Sequence, residues 1–317
     1  MSGKRILITT DYLKPGDEVD QFLRDQSYEP IYRPMGGATA QELIEALQDV
    51  IGALVANDPL TDEVLSQTPQ LRAIVRTGVG YDSVDIEAAA RYGITVSNLP
   101  GVNANAVAEY TLGLIIAAAR RLVQSAIGVQ AGGWPREDGQ ELRGATLGLI
   151  GYGAIAKAVV PLARAFGMRV LCSTGNLEPE PLDGVEFTDL NTLLAASDYV
   201  SIHTALNERT RGMIGAEQLQ LMKPQAILIN TARGPIVDEN ALSHAVQQGQ
   251  IRGAALDVAS EEPLPADSPL RAHENIVVYS HLAGQTAQAR AAAGLKGARE
   301  LLASLNGTPE YPVTSAE

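Results

Sequence analysis

The chain has 317 residues, with 24 Lys and Arg against 37 Asp and Glu, a formal net charge of −13. An apolar share of 45% and a charged share of 19% exclude a disordered chain, and a single Cys excludes a disulfide scaffold. The acidic balance argues against non-specific nucleic-acid binding, yet it leaves room for a small anion held in a local positive pocket.

At roughly 100–200 residues per domain, this length predicts two domains. The start, MSGKRILITT, carries a basic pair and a short strand-like run without the apolar core of a signal peptide. No apolar run approaches the ~18 residues of a membrane span, the longest candidate being 112–119. With the lone Cys172 suited to a reducing compartment, a cytoplasmic protein is expected.

Short apolar runs follow at 5–9, 53–55, 72–76, 94–96, 146–150, 169–172, 199–203, 226–230, 253–257 and 276–279. Most are continuous rather than alternating, the pattern of parallel strands buried on both faces. Helical patterns such as 39–50, 155–166 and 239–248 lie between them. This rhythm predicts an α/β fold with two doubly wound parallel sheets. A longer pattern at 104–126 interrupts it, apolar nearly all round through Val107, Leu112, Leu114, Ile115, Ile116 and Leu122. It is expected to be one helix, buried at a seam between domains or subunits. A polar connection with Gly132, Gly133, Trp134, Pro135 and Gly139 comes next. The domain reading is 99–285 for one unit and 1–98 plus 286–317 for the other, to which a last helix at 286–305 returns. The terminal NGTPEYPVTSAE is expected to fray.

The run 146–150 leads straight into Gly151-Tyr-Gly153-Ala154-Ile155-Ala156 and a helix. Gly151 permits a tight turn, Gly153 lets backbone approach a pyrophosphate, and Ala154 and Ile155 open a helix whose N–H groups face an anion. An acidic residue at the end of the next strand would grip the adenosine ribose, and here Thr174 stands in that place. No Arg or Lys follows to neutralise a 2′-phosphate, and Glu178 and Glu180 lie just beyond. NAD(H) is therefore expected, although Thr174 leaves NADP(H) open.

Of the four histidines, His244 falls mid-helix and His273 in a charged loop, both suited to surface roles. His203 ends a strand, where a core or cofactor-edge role is expected. His281 opens HLAG at another strand end, where α/β sites lie. Two more strand ends carry charge, in NTARG around Arg233 and in DVASEEP around Asp257 and Glu262.

Together with RTGVGYDSVD and NLPGVNANAVAEYTLGL, these motifs span nearly the whole chain. The chain resembles the D-isomer-specific 2-hydroxyacid dehydrogenases, most closely their phosphoglycerate-dehydrogenase-like branch. The resemblance implies a Rossmann-like cofactor domain inserted in a flavodoxin-like substrate domain. It implies that His281 is the general acid or base and Glu262 its carboxylate partner, with Glu261 solvated. Arg233 would hold the substrate carboxylate. Thr231, Ala232, Asp257 and Gly284 would line the cofactor, with Asp257 on the nicotinamide carboxamide. Ala259 replaces the aromatic usual in this motif.

Gly78, Val79 and Gly80 would form a backbone nest for the substrate carboxylate. Arg76 would face a substrate phosphate, and Asn57 is a further candidate nearby. Arg136 resembles an arm residue that reaches a neighbouring subunit. A homodimer built on 104–126 is expected, without a metal, a membrane or nucleic acid as partner, and without the regulatory domain of longer members. The implied activity is NAD(H)-dependent interconversion of a small D-2-hydroxy acid and its 2-keto acid, D-3-phosphoglycerate first. Reduction of hydroxypyruvate or glyoxylate is the alternative, and an NAD(H)-sensing corepressor-like binding protein is the alternative of another class.

Overall fold

The computed structural model describes residues 4–176 and 179–313. It divides into two compact units, Met1–Asn103 with Thr286–Glu317, and Ala104–Gln285.

The first unit alternates β1 (Lys4–Ile8), α1 (Glu18–Asp25), β2 (Tyr28–Tyr32), α2 (Ala40–Leu47), β3 (Gly52–Val55), α3 (Asp62–Leu65), β4 (Ala73–Arg76), α4 (Ile86–Arg91) and β5 (Thr95–Ser97). Its strands form one parallel sheet in the order β2-β1-β3-β4-β5, the flavodoxin-like arrangement. The period of two sorts side chains to opposite faces. Leu7, Ile74 and Val96 pack under α2 with Leu43 and Leu47, whereas Ile6, Ile8, Leu54 and Val75 face the other way. Helix starts are cut by side chains that accept first-turn N–H groups: Asp17 for α1, Thr39 in a capping box with Glu42 for α2, and Asp85 for α4.

The second unit comprises α5 (Ala104–Ala119), α6 (Leu122–Gln130), β6 (Thr146–Ile150), α7 (Ala154–Ala165), β7 (Arg169–Ser173), β8 (Val185–Phe187), α8 (Leu190–Ala196), β9 (Tyr199–Ile202), α9 (Ala216–Leu221), β10 (Ile227–Asn230), α10 (Glu239–Gln247), β11 (Gly253–Leu256) and β12 (Ile276–Val278). Its parallel sheet runs β12-β11-β10-β9-β6-β7-β8, so the direction of winding reverses between β6 and β9. β6, β9, β10 and β11 are buried at every position. One face packs on α5 and α7 through Leu147, Leu149, Ile227 and Ile229; the other packs on α8, α9 and α10 through Val200, Ile202, Leu228 and Leu256. The chain then enters α11 (Ala287–Leu305), capped by Thr286, which lies in the first unit with Leu301 and Leu305 against Ile6, Ile8 and Leu54.

The helix expected over 104–126 is two helices bent by 63°. Arg121, at φ 51°, breaks it, with its guanidinium 3.0 Å from Asn275 Oδ1 and paired with Glu137 and Glu274. Only α5 is extensively buried; α6 buries none of its residues and exposes Leu122, Ile127 and Val129. No single helix among the described residues is long and apolar enough to cross a membrane.

Up to residue 313 the terminal segment is also not frayed. Glu300, 3% exposed, accepts the N–H groups of Glu310 and Tyr311 at 3.1 Å, and Val313 N–H donates to the Val96 carbonyl at 2.8 Å. A buried carboxylate satisfied by backbone donors is what ties this segment down. Cys172 is fully buried beneath the turn after β6, its Sγ 3.6 Å from the Gly151 carbonyl, and burial pushes its thiol up to about 12.

Candidate active site

Gly151 leaves β6 at φ 102°, where the winding reverses and α/β sheets open their binding crevice. A Cβ there would sit 2.5 Å from the His203 carbonyl, so only glycine fits both the space and the backbone. Gly153 caps α7 without any side-chain acceptor, and nothing lies within 4 Å of where its Cβ would be. The N–H groups of the first turn, at Ala154 and Ile155, thus open a helix of 12 residues onto free space, the arrangement that holds a pyrophosphate. Ala156, fully buried, lets α7 pack close. The site fits a dinucleotide.

Thr174 follows β7, and its hydroxyl accepts the Asn176 N–H at 3.2 Å. Glu180 is paired with Lys157 at 2.8 Å, while Glu178 lies outside the described residues. His203 follows β9 with Nε2 2.9 Å from Ser201 Oγ, and burial lowers its pKa to about 4. His244 is exposed on α10, but His273 is half-buried and bonds Ser243 at 3.0 Å, so it is not the solvated surface residue expected.

Three loops at the C-terminal ends of β10, β11 and β12 carry the charged candidates. After β10, the buried Asn230 side chain accepts the Ala232 N–H and donates to the Arg233 carbonyl, each at 2.9 Å. Its amide thereby shapes the turn that presents Arg233. Thr231 is buried, with Oγ1 3.4 Å from that of Thr111. A Cβ on Gly234 would fall within the backbone of Ala259 and Ser260, so its absence lets the Arg233 turn abut the loop after β11.

In that second loop, Glu262 folds back so that Oε1 accepts the Ala259 N–H at 3.0 Å and Oε2 accepts from His281 Nδ1 at 2.8 Å. The loop is tied further by Glu239, which accepts the Ser260 N–H at 2.6 Å, and by Arg271, which donates to the Leu264 and Pro265 carbonyls at 2.8 Å. Burial by itself would raise the Glu262 carboxyl; the bonds from His281 and Ala259, with the charges of His281 and Arg233, hold it below its ordinary value. Glu261 is exposed. Both partners stay accessible, with side chains 33% exposed at His281 and 39% at Glu262.

His281 sits at φ 57°, an uncommon conformation for a residue with a Cβ. It is held there by its N–H on the Asp257 carbonyl and by the Gln285 amide on its own carbonyl, each at 2.8 Å. Asp257, only 1% exposed, accepts the Leu282 and Ala283 N–H groups at 2.8 Å, just before Gly284. Burial raises the Asp257 carboxyl, opposed by those N–H groups and by the His281 charge.

In the first unit, Arg76 ends β4 with its guanidinium on Asn57 Oδ1. Gly78 makes room for that guanidinium, since a Cβ there would overlap it. The expected nest is altered: the Gly78 N–H closes on the Arg76 carbonyl at 2.7 Å and is already engaged. Val79 is anchored through its carbonyl by Asn98 Nδ2 at 2.6 Å, ahead of Gly80. Arg136 lies on the exposed stretch after α6, beside Trp134, which is 78% exposed. Among the described residues no group of three or more His, Cys, Asp or Glu could hold a metal.

The supporting residues Asn230, Glu239, Arg271 and Gln285 were not legible as site residues. Asn230 carried a local signal, as an amide at a strand end that readily bonds nearby backbone. Glu239 and Arg271 act across the fold and carried none.

A seven-stranded parallel sheet with a glycine turn at its winding reversal defines a dinucleotide-binding α/β unit. Residues 112–283 match the family model described as D-isomer specific 2-hydroxyacid dehydrogenase, NAD binding domain, and the chain belongs to that family. It is 40% identical over 277 residues to a D-3-phosphoglycerate dehydrogenase of Methanocaldococcus jannaschii, covering 86% of this chain and 53% of that one. A glyoxylate reductase of Aeropyrum pernix is 43% identical over 261 residues, covering 79% of this chain and 78% of that one. The chain thus spans about half the first relative and about four-fifths of the second. A Thermus thermophilus protein of solved structure is 37% identical, with a TM-score of 0.89 over 98% of this chain and 99% of that one.

Proposed function

We propose that the protein is an NAD(H)-dependent oxidoreductase that interconverts a small D-2-hydroxy acid and its 2-keto acid. The observation that carries this reading is the 2.8 Å pair of His281 and Glu262, at the same edge of the sheet as the Gly151 turn. When bound, the nicotinamide supplies or accepts the hydride. Gly151, Gly153, Ala154 and Ile155 would hold the pyrophosphate of the dinucleotide, with Thr174 toward the adenosine and Thr231, Ala232, Asp257 and Gly284 along the rest.

Because Nδ1 faces Glu262, Nε2 is the ring nitrogen left for substrate. In reduction, Nε2–H gives its proton to the carbonyl oxygen as that carbon receives hydride, leaving a hydroxyl and a neutral imidazole. In oxidation the same nitrogen takes the proton back. Glu262 fixes the ring with Nδ1 turned toward its carboxylate. Arg233 holds the substrate carboxylate and polarises the keto oxygen. In the first unit, taken by itself, the Arg76 guanidinium and the backbone at Val79 and Gly80 are suited to hold an anion.

D-3-phosphoglycerate and its keto acid are the first substrate reading, in line with the relative from Methanocaldococcus jannaschii. Glyoxylate or hydroxypyruvate is the second, favoured by the glyoxylate reductase of which this chain covers 78%. The test is NADH oxidation with glyoxylate, hydroxypyruvate and 3-phosphohydroxypyruvate, each repeated with NADPH. Turnover with one of them supports the reading; NADH binding without turnover of any would reject it in favour of a nucleotide-sensing protein. We also propose a homodimer, in which the exposed Leu122, Ile127 and Val129 of α6 and Trp134 meet a second copy. Light scattering that gave the monomer mass at micromolar concentration would reject it.

A further inference from the structure

We propose that Glu300 is a positioning residue: it pins the segment 308–313 beside β5, and through Asn98 that segment sets the direction of the Val79 and Gly80 N–H groups, which hold an anion. This rests on the function proposed above, which makes that anion the acidic substrate.

α11 ends in a turn that sends the chain back along itself. The Thr308 N–H donates to the Ala303 carbonyl at 2.9 Å and the Gly307 N–H to the Ser304 carbonyl at 3.1 Å, with Gly307 left-handed at φ 80°. The returning segment lies antiparallel beside β5, an edge strand of its sheet, with Pro312 opposite Ser97. The Val313 N–H donates to the Val96 carbonyl at 2.8 Å, and the Asn98 N–H to the Tyr311 carbonyl at 3.3 Å. No residue from 306 to 313 is buried, so apolar packing does little to keep the segment there. Glu300, 3% exposed, does more. Both its carboxylate oxygens accept the Glu310 N–H at 3.1 Å, and Oε1 also accepts the Tyr311 N–H at 3.1 Å. A carboxylate withdrawn from solvent needs such donors, and the segment supplies them.

Order passes from this edge to the loop after β4. The Asn98 side chain donates to the Val79 carbonyl at 2.6 Å, and the Leu99 N–H donates to the Gly78 carbonyl at 2.9 Å. In a planar trans peptide the carbonyl and the N–H that follows it point opposite ways. Holding the carbonyls of Gly78 and Val79 on residues 98 and 99 therefore aims the N–H groups of Val79 and Gly80 the other way. When Glu300 lets go, the segment leaves β5, Asn98 loses its backbone partner, and the two N–H groups lose their fixed direction. His281 and the Gly151 turn belong to the other unit, so the loss falls on KM rather than on kcat or on NADH binding.

The experiment uses the full chain with Glu300→Ala and Glu300→Gln. With the keto acid that the wild type reduces fastest, Glu300→Ala raises KM about five- to tenfold, while kcat and the NADH dissociation constant stay within about twofold. Glu300→Gln stays within about twofold of the wild-type KM, because one oxygen can accept both N–H groups. Hydrogen exchange in Glu300→Ala, measured without NADH, speeds up in the peptides spanning 95–101 and 308–313 but not in β6. In an Asn98→Ala background Glu300→Ala raises KM no further. Should Glu300→Ala fail to fold, Val313→Pro loosens the same segment by removing its N–H from the Val96 carbonyl, and KM rises about two- to threefold. A wild-type KM in the folded variant, or a KM and an NADH dissociation constant that rise together, would overturn the proposal. A wild type that reduces no keto acid would overturn the functional reading instead; faster exchange in 95–101 would still support the coupling, and unchanged exchange there would reject it.

Discussion

Nδ1 of His281 and Oε2 of Glu262 lie 2.8 Å apart, although 19 residues separate them in the chain. The pair is assembled by two different loops. One is stapled by Glu239 and Arg271, and the other is bent by the left-handed backbone of His281 itself. The hydrogen bond between them fixes the orientation of the ring.

Replacing His281 by Ala removes the proton donor and acceptor. Turnover is expected to fall roughly a hundred- to ten-thousand-fold, with the NADH dissociation constant close to that of the wild type. Steady-state rates and a fluorescence titration check this, and unchanged turnover would refute the role.

Glu262→Gln keeps the shape but discards the carboxylate that accepts from His281 Nδ1. We expect kcat for reduction to fall about ten- to a hundredfold, because a carboxamide can turn its NH2 toward the ring and then no longer fixes its orientation. Steady-state rates check this, and a wild-type kcat in the variant would contradict the expectation.

Gly234→Ala puts a methyl group into the backbone of Ala259 and Ser260. The two loops must part, so unfolding is expected about 1–3 kcal/mol easier and kcat lower, even though no reacting group has changed. Urea denaturation and kinetics on the same sample measure both.

His203 gives the stability a pH dependence. Its pKa is about 4 in the fold, against an ordinary 6.5, because burial disfavours the charged ring. The unfolded chain therefore binds more protons between these values, and stability drops as pH falls from about 6.5 to about 4, by about 3 kcal/mol in all. Below pH 4 this contribution stops changing. His203→Asn is expected to flatten that window in urea titrations at successive pH values, and an unaltered slope would remove His203 as its source.

The buried strands were legible because β6, β9, β10 and β11 are covered on both faces and so read as unbroken apolar runs. The strands β2 and β8 were not. They lie at sheet edges; β2 carries Pro30, and β8 is three residues long with two of them exposed. Four of the five β2 residues and all three of β8 are only partly buried or exposed, so neither reads as the unbroken apolar run of a strand covered on both faces. The break at Arg121 escaped for another reason, since its partners Glu137, Glu274 and Asn275 are brought to it only by the tertiary fold. At the site, His281, Glu262 and Arg233 were marked by charge at strand ends and by motif. The engaged Gly78 N–H was not, because a turn closing on its own Arg76 carbonyl leaves no trace in residue type.

Cys172, the chain's one thiol, lies sealed under the Gly151 turn with its ionisation displaced to about 12. Iodoacetamide and similar alkylating agents can reach it only when the second unit opens, and the thiolate they need is scarce until then. The rate at which such a reagent labels the protein is therefore a direct clock for opening of that unit, without any engineered probe, and slower labelling on adding NADH would report how strongly the bound nucleotide holds it shut.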